Sequence, residues 1–217
     1  MNKLEKQSIR VMIYDSTTLK DGWDGLKEDG LALSWKWGAV LYKLRNKVDL
    51  VIDATNWKGA LTLLLILSAG KKIEEIQFWG HGRAGAAYIG TDRLDIADLL
   101  AGQQEEVRSL LLQLKGRMTN DSLIWFRTCA TFCGEIGHAF AYELAQLMEC
   151  RVAGHTHIIG PWQAGLHTLS PNDKPYWSLE EGIAEGTPRR IRKHLWSIPF
   201  KSPNGISCLT SEIPEGW

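Results

Sequence analysis

The chain has 217 residues, 44% hydrophobic and 23% charged, which is the composition of a globular domain large enough to bury a sizeable core. Its 25 basic and 25 acidic residues balance to a formal net charge of zero, and no basic block exceeds a short run such as "RRIRK". Electrostatics therefore exclude neither partner outright but give no argument for nucleic acid or membrane, and neither is expected. Four cysteines are too few for a disulfide framework. The start, "MNKLEKQSIRVMIYD", has no apolar signal-peptide stretch, and the longest apolar run, "ALTLLLILSAG", is too short to span a bilayer, so a cytoplasmic protein is expected.

Strand-like and helix-like segments alternate along the chain. "IRVMIYD" reads as a first strand, and "SWKWGAVLYKLRN" follows with helical spacing at Trp37, Val40, Leu41 and Leu44. "VDLVIDA" is a second strand, and "NWKGALTLLLILSAG" a buried helix with Asn56 as N-cap and Gly70 as its stop. "IEEIQFWG" is the third strand, followed by a glycine-rich turn and a small hairpin near Tyr88 to Leu94. "EEVRSLLLQLKGR" is an amphipathic helix, "SLIWFRTC" the fourth strand, "GHAFAYELAQLM" a helix and "CRVAGHT" the fifth strand. From about Gly160 the periodicity fades, although "IRKHLWSIPF" reads as one further strand. The ten tryptophans include Trp162, Trp177 and Trp217, placed where they would anchor long loops.

Strands joined through helices pair in parallel with helices on both faces, so a three-layer α/β/α sandwich with a mostly parallel sheet is expected. Residues 1–160 would form it, and residues 161–217 a loop-rich C-terminal portion packed on the same domain. Ligand sites in such sheets lie beyond the carboxyl ends of the strands. His81, in "WGHG", and Cys129, in "FRTC", both fall at that edge, after consecutive strands. A thiol becomes a strong nucleophile as thiolate, and a neighbouring imidazole can take its proton. The backbone N–H groups of Gly82 and Cys129 would then serve as oxyanion donors.

A strand ending in His-Gly, a helix, and a strand ending in Cys resembles the caspase-like cysteine peptidases, over roughly Ile9 to Gly160. The pattern is most similar to bacterial stand-alone caspase-like domains, matched here by His81, Gly82, Gly85 and Gly90, then Cys129, Gly134, Gly137, Phe140, Leu144, Ala145, Val152 and Ala153. The resemblance implies a catalytic dyad of His81 and Cys129, an oxyanion donor at Gly82, no cofactor, and a protein or peptide substrate. The sequence "RTCATF" departs from the caspase pentapeptide around the nucleophile.

Arg127 lies two residues before Cys129, on the same side of its strand. In the superfamily that position contributes to the pocket for the residue before the scissile bond. Arg127 and Asp15 are accordingly the candidate substrate-binding residues, with an acidic substrate residue expected; the competing reading pairs Arg127 internally with Asp15 or Asp53. Cys133 is the rival nucleophile. His155 and His157, with His81, Cys129 and Cys133, supply zinc-type ligands, but their spacing matches no common zinc motif, and no metal is assigned. His138, His167 and His194 read as surface residues, and Cys150 and Cys208 as inert small apolar ones. Two alternatives to a peptidase stand: a catalytically silent binding module of the same fold, and a His/Cys metal protein. A homodimer is left open.

Overall fold

Alternation along the strands sets the layers. In β1 (Ser8–Asp15) Val11 and Ile13 face one side of the sheet and Met12 the other, and all three are buried, in a computed structural model that describes residues 8–17, 29–103 and 105–217. The order continues through α1 (Asp29–Leu44), β2 (Leu50–Ala54), α2 (Trp57–Leu67) and β3 (Lys72–Trp79) to a small antiparallel sheet of β4 (His81–Arg83), β5 (Ala86–Ile89) and β6 (Asp92–Asp95). Next come α3 (Ile96–Leu99), α4 (Glu105–Lys115), β7 (Leu123–Arg127), α5 (Gly134–Met148) and β8 (Arg151–His155). The C-terminal portion adds β9 (Trp162–Gln163), β10 (Leu166–Leu169), the hairpin β11 (Ile183–Thr187) and β12 (Arg190–His194), and β13 (Ile206–Ser207).

The central sheet has six strands in the order β10-β8-β7-β3-β1-β2. Every pairing in it is parallel except β10 on β8. The fold is thus mixed α/β with a mostly parallel sheet, as expected. Residues 1–7, on which the reading of the start partly rests, lie outside the described residues. Among the described residues no helix is long and apolar enough to cross a membrane.

One face of the sheet carries the main core, where Ile13, Phe78, Ile124, Phe126 and Val152 meet Trp57, Leu61 and Leu64 of α2, Leu111 and Leu114 of α4, and Phe140 and Leu144 of α5. Asn56 caps α2 as expected, its side chain accepting the Gly59 N–H at 2.7 Å, a contact worth about 1 kcal/mol. The opposite face is covered differently along its length. Ala39 and Tyr42 of α1 pack on Met12 and Trp79, whereas Leu123, Trp125, Ala153 and Leu166 lie under Ile206, Ile213 and Trp217 of the C-terminal tail. The third layer is therefore half helix and half tail. Trp177 anchors the loop after β10 by stacking on Phe132 and donating Nε1–H to the Phe132 carbonyl at 3.0 Å.

Candidate active site

Register brings the two candidate catalytic residues to one level. β3 and β7 are neighbours in the parallel sheet, and their last aligned pair is Trp79 with Arg127. His81 and Cys129 each follow two residues later, beyond the carboxyl ends of adjacent strands. The two chain turns then touch. A Cβ added to Gly82 would lie 2.6 Å from the Cys129 carbonyl oxygen, 2.7 Å from Thr128 Cβ and 2.7 Å from Thr131 Oγ1, so the backbone after His81 rests on the backbone around Cys129 only because Gly82 has no side chain. Gly85 N–H adds a bond to the Thr131 carbonyl at 2.9 Å.

Cys129 itself sits on a bent loop. Ala130, next to it, has φ 52°, a left-handed conformation costly for a residue with a Cβ. Three backbone bonds hold the bend: Ala130 N–H to the His157 carbonyl at 2.9 Å, Phe132 N–H to the His155 carbonyl at 3.0 Å, and Cys133 N–H to the Ala130 carbonyl at 3.0 Å. The Cys129 thiol is half-buried and donates to the Ile159 carbonyl at 3.8 Å. Burial pushes that thiol up from its ordinary range. The Cys129 N–H makes no hydrogen bond among the described residues. The His81 ring meets Trp35 of α1 edge to face, with centroids 5.2 Å apart. Trp35 is a site neighbour that sequence reasoning missed, because nothing in "SWKW" distinguishes it from Trp37 on the same helix.

Cys133 is a poor rival. It precedes α5 as its N-cap, is buried, donates its thiol to the Glu181 carbonyl at 3.2 Å, and burial pushes its pKa up to about 12. Cys150 is likewise buried and pushed up to about 12.

Arg127 is committed inside the fold. Its side chain is 2% exposed and stacks between Trp79 and Trp125, the guanidinium carbon 4.4 Å from each ring. It donates to Gln163 Oε1 at 2.7 and 2.9 Å, to Tyr42 Oη at 2.7 Å, and to the carbonyls of Thr210 at 2.8 Å and Cys208 at 3.1 Å. These bonds point it into the packing between sheet and tail, and its partners are neither Asp15 nor Asp53. Asp15 is also committed internally: it is 3% exposed and accepts from Thr17 N–H, Thr17 Oγ1 and the Gly90 N–H at 2.6–3.0 Å, tying the end of β1 to the β5–β6 turn.

The histidines of the C-terminal half are also more buried than the sequence indicates. His155 is inaccessible, stacks on Trp125, and places Nδ1 3.1 Å from the Ala164 carbonyl; burial drops its pKa to about 3. His157 lies beyond the end of β8, its Nδ1 2.9 Å from Thr156 Oγ1. His167, expected at the surface, is 4% exposed, with Nε2 2.7 Å from Glu181 Oε1. Burial works to raise the Glu181 carboxyl, but His167 and Thr156 outweigh it and hold it below the usual carboxylate range. His138 and His194 are half-buried. Among the described residues no group of three or more His, Cys, Asp or Glu side chains is arranged to hold a metal ion.

The mostly parallel α/β sheet carries a histidine and a cysteine just past the carboxyl ends of neighbouring strands. The chain belongs to the family described as a domain of unknown function, DUF4347, which matches residues 36–182. No curated protein matches it. Among solved structures it is similar to a secreted C11 cysteine protease from Bacteroides thetaiotaomicron bound to an irreversible peptide inhibitor, at 12% identity and a TM-score of 0.40, over 71% of this chain. The chain spans about half, 50%, of that structure's length.

Proposed function

We propose that the chain is a cysteine peptidase that cleaves a protein partner, or itself, through His81 and Cys129. The observation that carries this reading is the β3–β7 register, which sets both residues two positions past an aligned pair, with Gly82 seated against Cys129. In the proposed reaction His81 takes the Cys129 proton and the thiolate attacks the scissile carbonyl. The Gly82 and Cys129 N–H groups face the oxyanion. His81 then returns the proton to the leaving amine, and water hydrolyses the acyl-enzyme through the same imidazole. No cofactor takes part, and the setting is a reducing, cytoplasmic one in which the four free thiols persist.

A second reading, a catalytically silent binding module, is favoured by one observation. The Cys129 thiol donates to Ile159 and is pushed up by burial, the reverse of an activated nucleophile. Cleavage of a fluorogenic peptide library by the full chain decides between them. The peptidase reading expects activity that Cys129→Ala and His81→Ala each abolish and Cys133→Ala retains. Absence of cleavage, together with iodoacetamide labelling of Cys129 no faster in the unsubstituted chain than in His81→Ala, would establish the silent module.

A further inference from the structure

The formal charge of the whole chain is zero, but the stretch from Ile183 to Asn204 is not balanced: Arg189, Arg190, Arg192, Lys193 and Lys201 stand against Glu185 alone. Arg189 is committed to Glu135 at 3.0 Å and Lys193 sits 3.9 Å from Glu185, whereas Arg190, Arg192 and Lys201 are exposed and make no ion pair among the described residues. The same stretch exposes apolar side chains in succession: Trp196 at 60%, Ile198 at 47% and Phe200 at 97%. Large apolar groups are seldom left in water side by side without a partner.

Phe200 is displayed on a built turn. Its backbone is left-handed, φ 61°, and the turn is closed by Lys201 and Ser202 N–H groups bonding the Ile198 carbonyl at 3.2 and 3.1 Å and by Ile198 N–H on Ser202 Oγ at 3.0 Å. The Trp162 ring lies 6.0 Å from the Phe200 ring, tilted 36° to it. A strained, hydrogen-bonded turn that holds an aromatic ring in solvent is the form of a preorganised anchor.

This surface is continuous with the candidate active site. Ile158 pairs with the segment through Ile158 N–H to the Leu195 carbonyl and Ser197 N–H to the Ile158 carbonyl, each at 2.8 Å, and the next residue, Ile159, accepts the Cys129 thiol.

Resting on the peptidase reading, we propose that the β11–β12 hairpin and the loop to Lys201 are a docking surface for the protein substrate, and that the substrate segment it takes is acidic with one large apolar residue. Arg190, Arg192 and Lys201 steer and hold the carboxylates, and the Trp196, Ile198 and Phe200 side chains receive the apolar residue. The acidic preference expected at Arg127 is thereby placed on groups that solvent reaches.

The test uses the full chain carrying Cys129→Ala, so that binding is read without cleavage. The probes are a fluorescein-labelled Glu-rich peptide with a single Phe, the same peptide with Lys for Glu, and vesicles of phosphatidylcholine with phosphatidylserine. The expected result is binding of the Glu-rich peptide alone, weakened about tenfold by raised salt and at least as much by the triple change Arg190→Glu, Arg192→Glu and Lys201→Glu, with melting temperature unchanged. Phe200→Ser weakens binding and leaves the salt dependence in place. Equal binding of the two peptides, no binding of the Glu-rich peptide, or indifference to these variants would overturn the proposal. Vesicle binding without peptide binding would overturn it too and make the surface lipid-facing. Cleavage of a small neutral peptide by the unsubstituted chain separates the two readings: lost cleavage with retained binding removes the peptidase and leaves the docking surface.

Discussion

Ala130 donates its N–H to the His157 carbonyl at 2.9 Å, and this bond fixes a left-handed residue directly behind Cys129. The position is 1% exposed, so a larger side chain has neither a relaxed backbone nor room. Ala130→Val is expected to destabilise the protein by about 2 kcal/mol, since a β-branched residue is strained at positive φ and overpacks a closed site. Thermal melting measures the loss, and iodoacetamide labelling of Cys129 reads the accompanying displacement of the thiol. An unchanged melting temperature would show that the bend relaxes freely.

Gly82→Ala places a methyl group 2.6 Å from the Cys129 carbonyl, a distance only backbone movement can relieve. The expected cost is about 1–3 kcal/mol, with loss of any cleavage, because the movement separates the two strand ends that the site joins. Chemical denaturation together with a peptide-cleavage assay checks both. Wild-type stability and activity in this variant would show that the contact between the two turns is not needed.

Arg127→Met removes the donor that binds Gln163 and the Thr210 and Cys208 carbonyls, leaving the first acceptor buried and the other two partly buried. Each unmet group costs about 1–3 kcal/mol, offset in part because a buried guanidinium is itself expensive. The net expectation is a lower melting temperature and earlier proteolysis of the tail after Ile206, with the residue preference of cleavage unchanged. A shifted preference with an intact tail would return Arg127 to the substrate pocket.

The five parallel strands are legible in the sequence because each is a β-rich apolar run bounded by turn residues, and the two strand ends carrying His81 and Cys129 follow from them. β10 is not legible, since "LHTL" is four residues long, set between Gly165 and a Ser-Pro-Asn turn. The role of Arg127 is hidden for a different reason. Its acceptors are the distant Gln163 and Tyr42 side chains and backbone carbonyls of the tail, and a carbonyl is the same in every residue, so no local side-chain pattern announces it. Asp15 is hidden likewise, by the Gly90 N–H it accepts. The burial of His155 depends on the tail closing over β8, and that of His167 on the loop after β10 bringing Trp177 and Glu181 against it, tertiary events with no local period to read. The exposed Phe200 is the converse case: "SIPF" reads as a strand, but the chain turns out at Ile198.

His155 gives the last prediction, on pH. Its Nδ1–H donates to the Ala164 carbonyl, while Nε2 is buried with no hydrogen-bond partner among the described residues, so a proton added there would go unpaired. Its folded pKa, about 3, is below the ordinary 6.5 of an accessible imidazole. The unfolded chain therefore binds the proton first, and the stability His155 contributes is fully present above pH 6.5 and lost as pH falls from 6.5 toward 3. At about pH 5 the loss amounts to about 2 kcal/mol. Burial moves His138, His157 and His194 in the same direction, while Glu75 and Asp98, raised by burial, act in the opposite one. The comparison that isolates His155 is urea unfolding of the wild type and His155→Leu between about pH 7 and pH 5. The variant is expected to be less stable at pH 7, because the Ala164 carbonyl loses its donor, and to fall less steeply as the solution is acidified. Parallel curves for the two proteins would mean that His155 takes up its proton inside the folded chain.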